Sequence, residues 1–334
     1  MKPLDLKNRL VPDSGNFFAL DLQMTPVIVF ALLLGGCSSI AVADEAGETP
    51  SLLRSGDRVV FIGDSNTFAG RFISEIEAQW LKQFPDQAVE FINAGLPSET
   101  ASGLSEPIHP FPRPCVQERI DRVLEKMKPD LLVIGYGMND GIYHPFDQNR
   151  FADYRKGIKT LVRKGKARGV KVVLLTPPPF DPFPLKKQGK LRSQEADEFS
   201  WMTIYENYDA VMDRYAKWIL DQQESVDQVV DIRSPFVKYL SEKRKSNPDY
   251  TMSNDGVHFD AAGHAIIARA ILDRWGIPAV KISPQFRDQI HRSQMIIRDS
   301  AVSLIGHKRP GVKPGLSWDQ AVEKSRQIKR QLQP

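Results

Sequence analysis

The chain has 334 residues, of which 41% are hydrophobic and 26% are charged, and its formal net charge is +4 at pH 7. This composition is typical of a globular protein with one large domain or two small ones, and it excludes a disordered or low-complexity chain. The two cysteines, Cys37 and Cys115, exclude a disulfide-stapled scaffold and a zinc site built from cysteine clusters. Residues 306–334 hold seven Lys and Arg against two acidic residues, without alternating aromatic and basic residues, so we interpret them as a basic surface tail and expect no nucleic-acid partner.

The N-terminal region has the features of an export signal. An apolar run, VIVFALLL, spans residues 27–34 and matches the hydrophobic region of a secretory signal peptide in length. The following Gly35-Gly36-Cys37 completes a sequence that resembles the bacterial lipobox, in which the cysteine is acylated. We therefore expect residues 1–37 to be the signal peptide of an exported lipoprotein of the cell envelope, attached to the outer membrane on its periplasmic face through Cys37.

Other interpretations of this region remain open. Cleavage after Ala43, at the small-x-small sequence Ala41-Val42-Ala43, would release a secreted protein, and an uncleaved apolar run would be a membrane anchor. Met24 is an alternative start, because the polar stretch before the apolar run is long for a signal peptide. In each case residues 38–54, which are polar and acidic, are expected to form a flexible tether.

From residue 55 onward, short apolar runs alternate with helical stripes. The predicted strands are Arg58–Ile62, Val89–Ile92, Leu131–Ile134, Val170–Leu175 and Gln228–Ile232. Apolar residues at helical spacing predict helices over residues 72–84, 120–127, 154–162, 204–218 and 261–275. This alternation predicts an α/β domain over residues 55–276, a three-layer αβα sandwich whose central parallel sheet has helices on both faces.

Two proline-rich segments, Pro107–Pro114 and Pro177–Pro184, interrupt this pattern. Because ligands bind at the carboxyl ends of the strands in an open α/β sheet, these loops are expected to stand over the site, although stiff surface connections have the same composition. After Ile277 the sequence predicts polar helices around residues 285–304 and 318–332. Residues 277–334 would then form a basic helical extension that either wraps the domain or extends from it.

Four short blocks follow predicted strands or precede predicted helices. Gly63-Asp64-Ser65 comes directly after the first strand, where a serine hydroxyl would lie at the sheet edge and its N–H near a helix N-terminus. Asn93-Ala94-Gly95 ends the second strand, and a glycine there lets its N–H approach a ligand closely. Each block taken alone is more typical of a helix cap or a turn than of a catalytic site.

The other two blocks supply an amide and a carboxylate-imidazole pair. Residues 135–140, GYGMND, contain Asn139, whose NH₂ group can donate to an oxyanion. Asp255-Gly256-Val257-His258 precedes the last helix, and its three-residue offset lets a carboxylate contact one imidazole nitrogen while the other faces a nucleophile.

In this order the blocks resemble the SGNH (GDSL-type) hydrolase superfamily, whose fold is flavodoxin-like. The resemblance covers residues 58–275. It implies that Ser65 is the nucleophile, that His258 is the base and that Asp255 orients it; the oxyanion hole would comprise the N–H groups of Ser65 and Gly95 and the Asn139 side chain. The sequence departs from the family pattern at residues 66–67, Asn-Thr, where many members have Leu, and the long stretch over residues 177–250 leaves the substrate unassigned.

The resemblance implies a serine esterase that acts through an acyl-enzyme, and an exported location favours O-acetyl or short acyl esters on carbohydrates as substrates. A lysophospholipase or other lipid esterase, an acyltransferase using the same residues, and a non-catalytic glycan-binding lipoprotein are the alternatives. No P-loop, GxGxxG or metal-ligand spacing is present, so we expect no cofactor and no metal. His109 and His144 are expected in loops that line the cleft, and His264 on the helix surface or as a cap.

Overall fold

The computed structural model describes residues 52–332, which fall in one compact unit. Its strands are β1 (Arg58–Gly63), β2 (Glu90–Asn93), β3 (Leu131–Gly135), β4 (Lys171–Leu175), β5 (Leu191–Arg192), β6 (Ile204–Tyr205) and β7 (Gln228–Val230). Its helices are α1 (Ser65–Ala69), α2 (Arg71–Gln83), α3 (Ile120–Met127), α4 (Gln148–Lys166), α5 (Phe183–Lys187), α6 (Tyr208–Leu220), α7 (Arg233–Ser246), α8 (Ala261–Arg274), α9 (Pro284–Ile305) and α10 (Trp318–Arg330).

The central sheet has five parallel strands in the order β2-β1-β3-β4-β7. Alternate residues of each strand enter two separate cores. Val60 and Ile62 of β1 face a core completed by α3, α4 and α6, whereas Val59 and Phe61 face a core completed by α2, α7 and α8. This arrangement confirms the predicted αβα sandwich, and it explains why the strands are apolar on both faces.

The predicted helix over residues 204–218 begins four residues later than expected, at Tyr208. Ile204 lies instead in β6, which pairs with β5 in a separate two-stranded sheet. The spacing between Ile204 and Tyr208 fits a helix face, and both side chains are buried. The backbone of Ile204–Tyr205 is extended, however, and the Tyr205 N–H donates to the Tyr143 carbonyl oxygen at 3.0 Å. Tertiary contacts therefore override the helical period at this position.

The C-terminal extension wraps the domain. Helix α9 packs against α2, β2 and α3, and its Ile297, Ala301 and Ile305 enter the core on the side of α3 and α4. Gln294 donates to the carbonyl oxygen of Phe91 in the edge strand β2 at 2.8 Å. Helix α9 thus covers the β2 edge of the sheet and shares a continuous core with the α/β domain.

The N-terminal predictions lie mostly outside the described residues, including the signal peptide, Cys37 and most of the tether. The described end of the predicted tether, residues 52–54, is part of the domain, because Leu53 is buried and the Leu52 carbonyl oxygen accepts from Lys171. The tether prediction is therefore wrong at its C-terminal end. Over residues 52–332, none of the helices has the length and apolar character needed to cross a membrane.

Candidate active site

Ser65 lies at the carboxyl end of β1, as the first residue of α1. Asp64 caps this helix, its Oδ1 atom accepting from the Asn66 N–H at 3.0 Å. As the first helical residue, Ser65 has an N–H that has no acceptor within the helix. Gly63 allows the turn, since a Cβ there would lie 2.6 Å from the Gly135 carbonyl oxygen of the neighbouring strand. The sequence thus folds into a tight strand-to-helix turn that presents both the hydroxyl and the N–H of Ser65.

The Asp64 carboxyl is buried beneath this turn. Burial raises its pKa to about 6, and the hydrogen bond from the Asn66 backbone and the nearby His258 only partly oppose the rise. The carboxylate in turn raises the pKa of His258. Asp64 therefore acts on the electrostatics of the site as well as capping α1.

Ser65, His258 and Asp255 form a continuous hydrogen-bonded chain. His258 Nε2 lies 2.8 Å from Ser65 Oγ, and His258 Nδ1 lies 2.7 Å from Asp255 Oδ2. The other carboxylate oxygen, Oδ1, accepts from the backbone N–H groups of Val257 and His258 at 3.0 and 2.8 Å. The carboxylate of Asp255 thus contacts the imidazole three residues later, as expected from the sequence. It also holds the loop that carries the imidazole, through the two backbone N–H groups.

This chain of contacts shifts the pKa of both titratable partners. The hydrogen bond to Asp255 raises the pKa of His258 above 6.5, although burial opposes the shift. Burial would raise the pKa of Asp255, but the hydrogen bond from His258, the charge of His258 and the backbone N–H groups of His258 and Val257 together hold the pKa well below its usual range. Asp255 is therefore ionised at neutral pH, and the Nδ1 of His258 carries the proton that it accepts.

The site is open to solvent. The His258 side chain is 56% exposed and that of Asp255 is 50% exposed. A cleft of about 400 Å³ runs along residues 251–255 and 258–260. The imidazole of His258 is therefore reached from solvent.

Asn139 lies in the turn after β3, next to the end of β1, because Gly63 and Gly135 are paired in register. Its side chain is buried and its orientation is determined by two hydrogen bonds. The Tyr143 hydroxyl donates to Asn139 Oδ1 at 2.8 Å, and Asn139 Nδ2 donates to the Glu99 carbonyl oxygen at 3.1 Å. One hydrogen of Nδ2 is left for a ligand, as an oxyanion donor requires.

Gly95 does not have the expected geometry. Its N–H donates to Asn93 Oδ1 at 2.9 Å, so it can reach an oxyanion only by breaking that bond. The missing side chain serves packing instead, because a Cβ at Gly95 would lie 2.6 Å from the Phe68 nitrogen in α1. The structure therefore argues against Gly95 as an oxyanion donor. Glycine is needed there for close packing against α1 and not, as expected, for the approach of a ligand.

Ser98, in the same loop, has the properties expected of Gly95. Its φ of +64° lies in the left-handed region, and among the described residues its N–H donates no hydrogen bond. The next residue, Glu99, provides the carbonyl oxygen that binds Asn139. Sequence reasoning missed Ser98, because a serine carries no signal of a left-handed conformation.

The two proline-rich segments contact the site, as expected. From the first, Arg113 forms a buried, two-pronged ion pair with Glu106 at 2.6 and 2.7 Å and lies over the Tyr143 ring. From the second, the Asp181 N–H donates to the Gly256 carbonyl oxygen in the His258 loop at 3.0 Å. The first segment therefore supports the Asn139 side of the site and the second supports the His258 side.

Three histidines outside this hydrogen-bonded chain, His109, His144 and His264, differ in their placement. His264 was expected at the helix surface or as a cap, but it is 2% exposed and its ring stacks on Phe72 at 6.0 Å. Burial lowers its pKa to about 4. The side chain that caps this helix is that of Asp260. His109 and His144 lie in loops on the strand-end side, with ring contacts to Trp201 and Phe199. Within residues 52–332, no group of three or more His, Cys, Asp or Glu residues could hold a metal ion.

Similar proteins place this site in a known family. The model of the GDSL-like lipase/acylhydrolase family matches residues 61–266, more than half of the 334-residue chain. Esterase TesA of Pseudomonas aeruginosa is 27% identical over 158 residues, which are 46% of this chain and 68% of TesA. An acetylxylan esterase of Geobacillus stearothermophilus is 24% identical over 250 residues, which are 68% of this chain and 97% of that enzyme.

Solved structures agree on the fold. An acetyl xylan esterase from the same Geobacillus species, solved as a variant of Axe2, superposes with a TM-score of 0.52 at 22% identity, covering 69% of this chain and all of that one. The gut microbial diltiazem-metabolizing enzyme BT4096 superposes with a TM-score of 0.54 at 21% identity over 67% of this chain, which spans about half (48%) of BT4096. The region matched by the family model runs from β1 through the loop that carries His258. This chain is therefore a member of the GDSL-like lipase/acylhydrolase family of ester-hydrolysing enzymes, the SGNH superfamily.

Proposed function

We propose that this enzyme is a serine esterase that acts through an acyl-enzyme formed on Ser65. The observation that carries the proposal is the hydrogen-bonded chain from Ser65 Oγ through His258 to Asp255. His258 Nε2 takes the proton of Ser65 as Oγ attacks the ester carbonyl carbon, and then delivers it to the departing alcohol oxygen. Water, deprotonated by the same nitrogen, attacks the acyl-enzyme and releases the acid and free Ser65.

The oxyanion formed in both steps requires donors that are oriented before reaction. We assign the N–H of Ser65, the Nδ2 of Asn139 and the N–H of Ser98. The first has no acceptor within α1, the second is oriented by Tyr143, and the third donates to none of the residues between 52 and 332. Ser98 replaces Gly95 in this assignment, because the Gly95 N–H is engaged by Asn93.

We propose O-acetyl or short acyl esters on carbohydrates as the substrates. The acetylxylan esterase of Geobacillus stearothermophilus, 97% of whose length is matched, supports an acetylated polysaccharide. The half-exposed His258 and Asp255 also support it, because an ester on a long polymer reaches an open cleft more easily than a closed pocket. Ready access of water to such a cleft favours hydrolysis over acyl transfer.

One substrate panel tests this proposal. The purified enzyme is incubated with acetylated xylan, p-nitrophenyl acetate and lysophosphatidylcholine, with and without free xylose as an acyl acceptor. We expect acetate release from xylan and from the nitrophenyl ester. Preferential release of fatty acid would instead indicate a lipid esterase, acetylated xylose an acyltransferase, and the absence of turnover on all three a binding protein.

We further propose that the protein is exported and anchored by acylation of Cys37, as the lipobox-like sequence over residues 34–37 indicates. The Cys37→Ala variant lacks the thiol that would carry the lipid. We expect it to leave the detergent phase on Triton X-114 partitioning, in which the unchanged protein would remain. Equal partitioning of both proteins would contradict the proposal.

A further inference from the structure

We propose that Asn66 is a positioning residue that holds the loop carrying His258 in register with Ser65. This inference rests on the proposed function, since it assumes that His258 activates Ser65. Asn66 directly follows Ser65 in α1, and its side chain is 6% exposed.

Asn66 brackets His258 with two hydrogen bonds. Its Nδ2 donates to the carbonyl oxygen of Val257 at 2.9 Å, and its Oδ1 accepts from the N–H of Phe259 at 3.3 Å. The side chain amide therefore engages the backbone on each side of His258. The Asn amide provides a donor and an acceptor on one short side chain, whereas the Leu common at this position in the family provides neither.

The imidazole needs this support because it is exposed. With 56% of its side chain accessible, His258 receives little packing, and its backbone must be held by other contacts. Asp181 holds one part of the loop through the carbonyl oxygen of Gly256, whose φ is +75°. Asn66 holds the next part and does so from the same short helix that presents Ser65. One turn of α1 thus couples the positions of nucleophile and base.

The contacts within the loop predict a specific signature for the loss of Asn66. Asp255 and His258 belong to the same loop, and their hydrogen bonds do not involve Asn66. Removing the amide should therefore keep the pKa of His258 raised by Asp255, the largest cause of the shift, while the distance between His258 and Ser65 becomes variable. A misplacement of this kind lowers the rate of the chemical step and not substrate affinity.

The test compares Asn66→Leu with Gln294→Leu, a control that removes an equally buried amide with two hydrogen bonds on α9, away from the His258 loop. For Asn66→Leu we expect kcat on p-nitrophenyl acetate to fall about 10- to 100-fold. We expect KM and the midpoint of the pH profile to stay as in the wild type. The rate of inactivation by a fluorophosphonate should fall in parallel, with labelling still reaching every molecule. Gln294→Leu should lose thermal stability but retain kcat.

Wild-type kcat in Asn66→Leu would overturn the proposal. An equal loss of kcat in Gln294→Leu, or incomplete labelling of Asn66→Leu that accounts for its lost activity, would do the same, because either result indicates general unfolding. Ser65→Ala belongs in the same series. If Ser65→Ala retains activity, the proposed function fails; if it is inactive while Asn66→Leu is fully active, only the role of Asn66 fails.

Discussion

The hydroxyl of Tyr143 donates a 2.8 Å hydrogen bond to the amide oxygen of Asn139 and so helps to determine which way the Asn139 amide points. The second bond, from Asn139 Nδ2 to the Glu99 carbonyl oxygen at 3.1 Å, favours the same orientation. Tyr143 has a left-handed φ of +62°, and Arg113, paired with Glu106, lies over its ring. A residue that orients the proposed oxyanion donor is therefore in contact with an ion pair of the first proline-rich loop.

The first prediction concerns Asn139 and Tyr143. Asn139→Ala should lower kcat on the order of 10²- to 10³-fold with little change in KM, because it removes an oxyanion donor while leaving Ser65 and His258 in place. Tyr143→Phe keeps the ring and removes one of the two bonds that orient the amide, so its loss of kcat should be smaller, about tenfold. Steady-state kinetics on p-nitrophenyl acetate measure both. A Tyr143→Phe enzyme as slow as Asn139→Ala would indicate that Tyr143 acts directly.

A second prediction concerns the pH profile. For the wild type, kcat/KM should rise with pH as His258 loses its proton, with a midpoint above 6.5 because Asp255 raises the pKa of His258. Asp64 contributes to that rise, so Asp64→Asn should move the midpoint down. Asparagine caps helices as well as aspartate does, and α1 should therefore remain intact. An unchanged midpoint in Asp64→Asn would show that the buried carboxylate does not act on His258.

The third prediction concerns two residues of the loop after β2, Gly95 and Ser98. Gly95→Ala should lower the free energy of unfolding by about 1–3 kcal/mol, because its Cβ would displace the α1 backbone. Since α1 carries Ser65, activity should fall as well. Ser98→Gly should retain kcat, since the proposed donor is a backbone N–H. Its free energy of unfolding should rise by up to about 1 kcal/mol, because glycine accepts a left-handed φ without strain. Chemical denaturation and kinetics of the two variants test this contrast, and a Gly95→Ala enzyme as stable and as active as the wild type would contradict it.

Asp140 gives a prediction about stability alone. Its carboxyl is buried, with one oxygen accepting from the N–H groups of Ala101 and Ser102, and burial raises its pKa from 3.8 to about 6. Because the pKa is raised on folding, the carboxyl favours the folded state below pH 4, and this contribution is lost as the pH rises through about 6.

Asp140→Asn imitates the protonated acid at every pH. The free energy of unfolding of this variant, relative to the wild type, should therefore increase by about 2–3 kcal/mol between pH 4 and pH 7. Urea denaturation at the two pH values measures the difference. A relative stability that does not change with pH would contradict the raised pKa.

The sequence predicted those parts of the molecule whose signals are local. The apolar strands predicted the parallel sheet because parallel strands are buried on both faces. The resemblance of the four blocks to the SGNH family implied that Ser65, Asp255 and His258 would meet. The structure brings these three together within hydrogen-bonding distance.

The features that could not be predicted depend on contacts between distant residues. The N–H of Gly95 is engaged by Asn93, and the left-handed φ of Ser98 results from its loop; neither follows from residue type. Asn66 meets residues 191 and 193 positions away, so its sequence neighbours carry no trace of the contact. His264 lies on a helix whose buried face is defined by α2, and for this reason it was wrongly expected at the surface.

The most direct test of the proposed mechanism is the turnover of p-nitrophenyl acetate by Ser65→Ala and His258→Ala. Both variants remove one member of the hydrogen-bonded chain without filling the open cleft, and so they should fold as the wild type does. Because the proposed acyl-enzyme forms on Ser65 and His258 Nε2 is the base within reach of its hydroxyl, we expect kcat to fall to near the background rate in both. Full activity in purified, folded Ser65→Ala would contradict the assignment of this site.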